Sequence, residues 1–553
     1  MTDSFDAIIV GAGFAGLRML HRMRELGFSA VVLEAGDGIG GVWHWNRYPG
    51  ARCDVTSPDY SYPFDPELDQ EWTWSERYAT QPEILRYIDH VADRYDLRRD
   101  IRLNTTVTRA EFDEATDTWV VHTDSGGADG ASSSSDSPRP RPESRNLRAR
   151  WLLMATGQLS ATRTPDFPGL ESFAGEVLWT AKWPKEGRDL TGKRVAVIGT
   201  GSSGTQMIPV IAEQVAHLTV FQRTPNFSVP AGNRPLTESE MAEIKATYPQ
   251  RRAALHNTPS GMSVPVFKDS ALEATPEERR ARYESQWGEV GFGFVLSYSD
   301  LLLDQRANET AADFLREKIR EKVRNPELAE KLSPRDYPFG AKRPCVDTNY
   351  FETFNLPHVE LVDVREEPIV AITPTGVRTA IGSHDADVLI LATGFDALTG
   401  ALNRIDIRGV GGVALRDRWA DGPSTYLGIG ISGFPNFFVI AGPGSPSLLT
   451  NVIVSIEQHA QWIGDLLAHA REHGVTRIDV DPEAEAKWTA HVAEAAARTL
   501  YPQADTYYLS SGSSAFMPYV GGVRGYRRVC DDVAAEGYVG FTLSPAGALS
   551  PTG

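Results

Sequence analysis

The sequence predicts an α/β protein with two Rossmann-like dinucleotide-binding domains and a helical insertion in the second. Three observations predict it. The apolar run Ala7–Val10 leads into Gly11-Ala12-Gly13-Phe14-Ala15-Gly16, and Val195–Ile198 leads into Gly199-Thr200-Gly201-Ser202-Ser203-Gly204. The stretches that follow, Leu17–Leu26 and Thr205–Val215, read as helices. Each fingerprint is then answered by a charge: Glu34, 18 residues past Gly16, and Arg223, 19 residues past Gly204. Glycines permit the tight turn and let backbone N–H groups approach a pyrophosphate at a helix N-terminus. A carboxylate in the acceptor position takes hydrogen bonds from a ribose 2′-hydroxyl, whereas an arginine suits a 2′-phosphate. FAD in the first unit and NADPH in the second satisfy both.

The remaining elements follow in chain order. A Trp- and Tyr-rich stretch runs from Gly40 to about Tyr78, and Gln81–Ile88 opens a helix with proline in its first turn. Thr105–Phe112 and Thr118–His122 read as a hairpin around Asp113–Thr116. Residues 124–147, with a serine run and alternating prolines, read as a flexible surface loop. Leu152–Gly157 and Leu389–Gly394 end alike in Ala-Thr-Gly and read as crossover strands between the two nucleotide units. From about 236 to 332 the chain is polar and helical; Leu315, Ile319 and Val323 recur every four residues until Pro326. Segments 427–431 and 436–440 read as β, and a long helix is expected over 451–467. The expected division is FAD-binding over 1–158 and 386–553, NADP-binding over 159–235 and 333–385, and a helical subdomain over 236–332.

Bulk properties exclude other classes. At 553 residues, 41% hydrophobic and 23% charged, the chain has length for two or three ordinary globular cores. A net charge of −18 argues against nucleic acid as a partner. Cys53, Cys345 and Cys530 are scattered without a C-x-x-C pair, which fits a reducing cytoplasm and argues against a disulfide reductase. No basic leader precedes the first strand, and no apolar run reaches ~18 residues, so neither a signal peptide nor a membrane partner is expected. His44 and His459 read as packing or surface histidines, without metal-ligand spacing, and a monomer is favoured.

One local motif is more specific. Gly40-Gly41-Val42-Trp43-His44-Trp45-Asn46-Arg47-Tyr48-Pro49-Gly50-Ala51-Arg52-Cys53-Asp54 resembles the flavin-side signature of type I Baeyer–Villiger monooxygenases, the group of phenylacetone, steroid and cyclohexanone monooxygenases. Glu71–Tyr78, Ala155–Ser160, Gly340–Pro344, Asp396–Gly400 and Gly442–Ser447 belong to the same resemblance, which extends over most of the chain.

The resemblance implies an FAD-dependent oxidoreductase that consumes NADPH and O₂ and converts a ketone to an ester or lactone through a C4a-peroxyflavin. It implies Arg343 as the permanent cation that stabilises the reacting oxyanion, and Asp54 as the carboxylate that orients it. The flavin would be held by Gly11, Gly13, Phe14, Ala15, Gly16, Glu34, Gly41, Val42, Trp43, Asp54, Tyr60, Val107, Gln158 and Val452. The NADP residues would be Arg52, Gly199, Thr200, Gly201, Ser202, Ser203, Gly204, Gln206, Arg223, Thr224, Lys342, Arg343 and Tyr507. Ser447, Leu448 and Leu449 would border an apolar ketone.

Two features depart from the family pattern. The fingerprint Phe173–Pro184 carries Trp179 where the family has histidine, and the segment Tyr507–Ala515 is short and lacks the usual Asn and Lys. A heteroatom oxygenase acting on sulfur or nitrogen, and a catalytically weak flavoprotein with an altered NADP loop, are the competing expectations.

Overall fold

The computed structural model describes residues 3–125, 143–509 and 515–545. Two sheets organise the chain. The first has eight strands, in the order Asp406–Arg408, Thr105–Asp113, Thr118–Ser125, Glu143–Met154, Asp3–Val10, Ala30–Leu33, Ile101–Arg102, with Phe437–Val439 also pairing with Glu143–Met154. Its central strands are parallel, Ile8 opposite Val31 on one side and Leu152 on the other. Ala7–Val10, Ala30–Leu33 and Leu152–Met154 are buried. They read as continuous apolar runs because both faces of a parallel sheet are covered.

The second sheet runs Val359–Asp363, His217–Gln222, Arg194–Ile198, Val388–Leu391, Glu176–Trp179 and is parallel throughout. Its core includes Val195, Val197, Ile208, Ile211, Leu218 and Ile390. The segment between about 236 and 332 is helical: Glu238–Leu255, Pro276–Gln286, Gln305–Lys322 and Pro326–Leu332. Proline stops one helix and starts the next, because Pro326 occupies the first turn of a helix capped by Asn325.

Three expectations need correction. The strand Val388–Leu391 pairs with Arg194–Ile198 and Glu176–Trp179 in the second sheet, so a return to the first unit at residue 386 is too early; the chain leaves this sheet only after Leu391. Of the 124–147 loop, residues 126–142 lie outside the described residues, but 124–125 and 143–147 extend the antiparallel strands Thr118–Ser125 and Glu143–Met154. Backbone pairing there outweighs the polar composition. Residues 427–431 are not a strand: Leu427 has φ +58°, which bends the chain, and only isolated bridges form at Gly430. Among the described residues, no helix is long and apolar enough to cross a membrane.

Candidate active site

Both glycine fingerprints meet the same steric problem. At Gly11 (φ +103°) a Cβ would lie 2.6 Å from the Ala155 carbonyl oxygen, and at Gly199 (φ +113°) 2.4 Å from that of Ala392. Ala155 and Ala392 begin the two Ala-Thr-Gly turns, so each fingerprint packs against the backbone of one of them. A Cβ on Gly16 would fall 1.8 Å from the Gly11 oxygen, and one on Gly204 2.4 Å from the Gly199 oxygen. Each turn therefore packs its helix directly on backbone.

The helices that follow, Phe14–Glu25 and Ser202–Ala212, begin at Gly13 and Gly201 with no side-chain cap and no acid in the first turn. Elsewhere Asp65, Thr237, Thr275 and Asp481 cap helices with their own oxygens. An uncapped helix start leaves N–H groups and the positive end of the dipole for an external anion. Gly13 and Gly41 face each other, and a Cβ on Gly41 would stand 3.1 Å from the Gly13 Cα. These backbones form a cradle that side chains would fill, and it fits a dinucleotide pyrophosphate.

The acceptor residues differ as their charges require. Glu34 is buried; its carboxylate accepts from the N–H groups of Ala12 and Gly36, each at 2.7 Å. Burial pushes its pKa up from the ordinary carboxylate value despite these bonds. The fingerprint turn is thus tied to the carboxylate that faces it. Arg223 is exposed just past His217–Gln222. Lys342 lies over the Tyr337 ring at 4.5 Å. Its pKa is lowered, chiefly by burial, with the charge of Arg223 acting in the same direction. Neither cation makes an ion pair among the described residues, and two cations held together fit a phosphate dianion.

Arg343 is the centre of the arrangement. Its Nε donates to Asp54 Oδ2 at 2.6 Å and its Nη2 to Oδ1 at 3.0 Å, a bidentate pair, while Nη1 donates to the Leu448 carbonyl at 3.0 Å. The guanidinium lies 4.3 Å above the Phe292 ring. Burial alone would lower its pKa, but Asp54 outweighs that and holds it above the ordinary arginine value. The cation is fixed in place and never loses its proton.

The other expected flavin-side residues surround this centre as follows. Phe14, Trp43 and Tyr60 pack together, with the Trp43 ring N–H donating to the Tyr60 hydroxyl at 3.2 Å. Ala15 is buried in the first helix, and Val42 opens the short helix Val42–Trp45. Val107 is buried in the core beside Val10, Leu33 and Met154. Gln158 donates to the Ala441 carbonyl at 2.9 Å and to the Ser447 hydroxyl, and Val452 starts the helix Val452–Glu472.

On the other side Gln206 joins the two units. It accepts from the Tyr48 hydroxyl at 2.9 Å and donates to the Arg52 carbonyl at 3.1 Å. Arg52 spends its charge on Glu76 at 3.0 Å. Thr200 donates to the Thr224 carbonyl at 3.4 Å, and the Ser202 hydroxyl lies 3.8 Å from the Cys345 sulfur. Ser203 follows it in the first turn of Ser202–Ala212.

Leu448 and Leu449 join Leu398, Tyr501, Tyr508 and Met517 in one apolar cluster. Tyr507 is exposed, its ring 4.8 Å from that of Tyr508, and residues 510–514 of the unusual loop lie outside the described residues. Trp179 ends the edge strand Glu176–Trp179 opposite Leu391 and is half-buried.

Sequence reasoning missed Phe292, which sits in a tertiary contact with no local signature. It also missed Asn451, the helix cap whose amide donates to the Asp59 carbonyl at 2.7 Å. An Asn before an apolar helical run is a capping signal that could have identified it. The three cysteines are free and buried, so they form no redox pair.

The sequence profile described as pyridine nucleotide-disulphide oxidoreductase matches residues 5–247. The chain is 41% identical to a Baeyer-Villiger monooxygenase of Pseudooceanicola batsensis, over 97% of this chain and 95% of the other. It is equally 41% identical to the phenazine N-monooxygenase PhzNO1 of Lysobacter antibioticus, over 98% and 97%. A solved structure of an oxidized steroid monooxygenase bound to NADP is 48% identical and superposes with a TM-score of 0.92, covering 98% of this chain and 100% of that one.

Proposed function

The chain belongs to the Baeyer–Villiger monooxygenase family, and from that premise we propose that it uses FAD, NADPH and O₂ to convert an apolar ketone to an ester or lactone. The observation that carries this reading is the bidentate Asp54–Arg343 pair, hydrogen-bonded to the Leu448 carbonyl of the stretch assigned to substrate. Bound FAD, reduced by NADPH, would supply the activated oxygen that adds to the ketone carbon.

The chain's own residues supply the rest. Gly11–Gly16, Gly41 and Glu34 would hold the FAD pyrophosphate and ribose, and Trp43 and Tyr60 would wall the ring system. Gly199–Gly204 would take the NADPH pyrophosphate, with Arg223 and Lys342 on its 2′-phosphate. Arg343 would stabilise negative charge on the ketone oxygen as the new carbon–oxygen bond forms; a preoriented cation is worth most when it need not reorganise. Asp54 orients that guanidinium through two bonds, and the Arg343 side chain is largely withdrawn from water. FAD is assigned to the eight-stranded sheet and the chain beyond Gly394, NADPH to the five-stranded sheet. The proposal includes a cytoplasmic monomer, since isolated buried thiols suit a reducing compartment.

The phenazine relative favours one competing reading, oxygenation of a ring nitrogen. Asp54–Arg343 favours the ketone, because an oxyanion develops on a carbonyl oxygen and none develops on a ring nitrogen that is being oxidised. Arg343→Ala should abolish ester formation while NADPH still reduces the flavin. Ester formation at the unsubstituted rate would overturn the assignment, and oxygenation of N-heteroaromatic rings alone by the unsubstituted enzyme would select the nitrogen reading.

A further inference from the structure

His459 has no part in the reaction described above, yet it is fully buried in the helix Val452–Glu472. Its Nδ1 accepts from the Ala441 N–H at 3.0 Å, and its Nε2 lies 2.6 Å from the Tyr526 hydroxyl. That hydroxyl donates its single proton to the Leu427 carbonyl. Its oxygen must therefore accept from the ring, so Nε2 carries the proton and Nδ1 does not. The hydrogen-bond chain assigns one neutral tautomer. A protonated ring would set an N–H against the Ala441 N–H, and the Val439 backbone, which favours the charged form, does not offset its burial.

The two residues held at the ends of this chain are both in the left-handed region, Ala441 at φ +60° and Leu427 at φ +58°. Non-glycine residues stay there only when surrounding contacts fix them. Ala441 opens the turn that leads to the candidate substrate stretch. Its carbonyl accepts from Gln158 at 2.9 Å and from the Ser447 hydroxyl at 3.3 Å. Leu448, the next residue, presents its carbonyl to Arg343 at 3.0 Å. The path from His459 to the guanidinium thus runs through Ala441, Ser447 and Leu448 without a gap.

We infer that His459 is a positioning residue: as a neutral imidazole acting with Tyr526, it sets the Ala441–Leu448 turn, and through it the placement of the ketone against Arg343. This inference rests on the proposed ketone oxygenation.

The test uses the FAD-loaded enzyme with His459→Phe, His459→Asn and Tyr526→Phe. Phenylalanine keeps an aromatic ring and removes the acceptor, whereas asparagine restores an oxygen near the Nδ1 position. His459→Phe should raise the ketone KM about tenfold, the effect of leaving one buried donor unpaired, and divert NADPH oxidation to hydrogen peroxide. The NADPH KM should stay unchanged, and His459→Asn should recover most of the coupling. Wild-type coupling and ketone KM in His459→Phe, or equal impairment in His459→Asn, would overturn the inference.

Should His459→Phe fail to fold, Tyr526→Phe decides: it unpairs Nε2–H and the Leu427 carbonyl and should show the same split at a few-fold size. Unaltered behaviour there would overturn the inference. Independently of turnover, ¹⁵N NMR of histidine-labelled enzyme should show one ring protonated at Nε2 only, and the opposite tautomer or a cation would refute it. If the wild-type enzyme gives no ester from any ketone, the functional reading fails, and the NMR result alone decides the tautomer.

Discussion

Replacing Asp54 with asparagine preserves the side chain's shape and removes its charge. The carboxylate takes two charge-assisted bonds from Arg343, at 2.6 and 3.0 Å. An amide keeps one acceptor and turns an NH₂ toward the guanidinium. Losing one such bond costs about 1.5–3 kcal/mol. The Arg343 side chain is only 14% exposed, so water replaces little of the lost attraction, and the upper end of that range applies. If about 3 kcal/mol of orienting energy is withdrawn from the cation, the barrier to ester formation rises by a similar amount, about a hundredfold in rate. The assay separates two quantities in the same reaction, ester formed and NADPH consumed. Ester should fall about a hundredfold, with NADPH oxidation much less affected and the difference appearing as hydrogen peroxide. Ester formation within about threefold of wild type would show that Asp54 does not hold the guanidinium for the chemistry.

Arg223→Ala removes one charge-assisted contact to a 2′-phosphate, so the NADPH KM should rise about 10- to 100-fold while NADH use is unaffected; equal change for both coenzymes would refute the assignment. Gly16→Ala puts a methyl 1.8 Å from the Gly11 oxygen, which forces the first helix off its turn, and the purified protein should carry little flavin. A full flavin content would refute that packing argument. Burial, opposed in part by a hydrogen bond to the Val439 backbone, lowers the His459 pKa from 6.5 to about 3. The unfolded chain then binds the extra proton first, so stability is full above about pH 6.5 and falls as the pH drops, by about 3 kcal/mol at pH 4.5. Urea midpoints of His459→Asn should lack this component of the acid loss, and parallel pH dependence in both proteins would refute it.

The parts legible in the sequence were those fixed by local backbone geometry. Gly11–Gly16 and Gly199–Gly204 are readable because a turn against Ala155 or Ala392 leaves no room for a side chain. Glu34 and Arg223 are readable because each stands at the end of a strand beside a fingerprint. The second Ala-Thr-Gly turn is legible as a motif, but nothing in Val388–Leu391 says which sheet that strand joins; its pairing with Val195–Ile198 decides it. Residues 143–147 look like loop because composition measures solubility, whereas their pairing with 121–125 is a long-range backbone effect. Phe292 and His459 were illegible for a related reason. An aromatic ring in a Gly-rich segment and a histidine on an apolar helix look like packing until the partner arrives from elsewhere in the chain.

The two fingerprints share one backbone solution, so what distinguishes this protein chemically lies where the units meet. Arg343 has three anchors: Asp54 from the segment after the first fingerprint, Leu448 from the C-terminal third, and Phe292 from the helical insertion. No two of them lie on the same element. A guanidinium held this way is sensitive to relative displacement of any one segment, because its two bonds to Asp54 and one to Leu448 have fixed directions. Gln206, which binds both Tyr48 and Arg52 across the same junction, links the start of the second fingerprint helix to the segment that carries Asp54. A hydrogen-bonded path therefore joins the helix after the second fingerprint to Arg52, two residues before the carboxylate that orients the cation. The chemical centre is thus drawn from several segments at once, with no single loop carrying it.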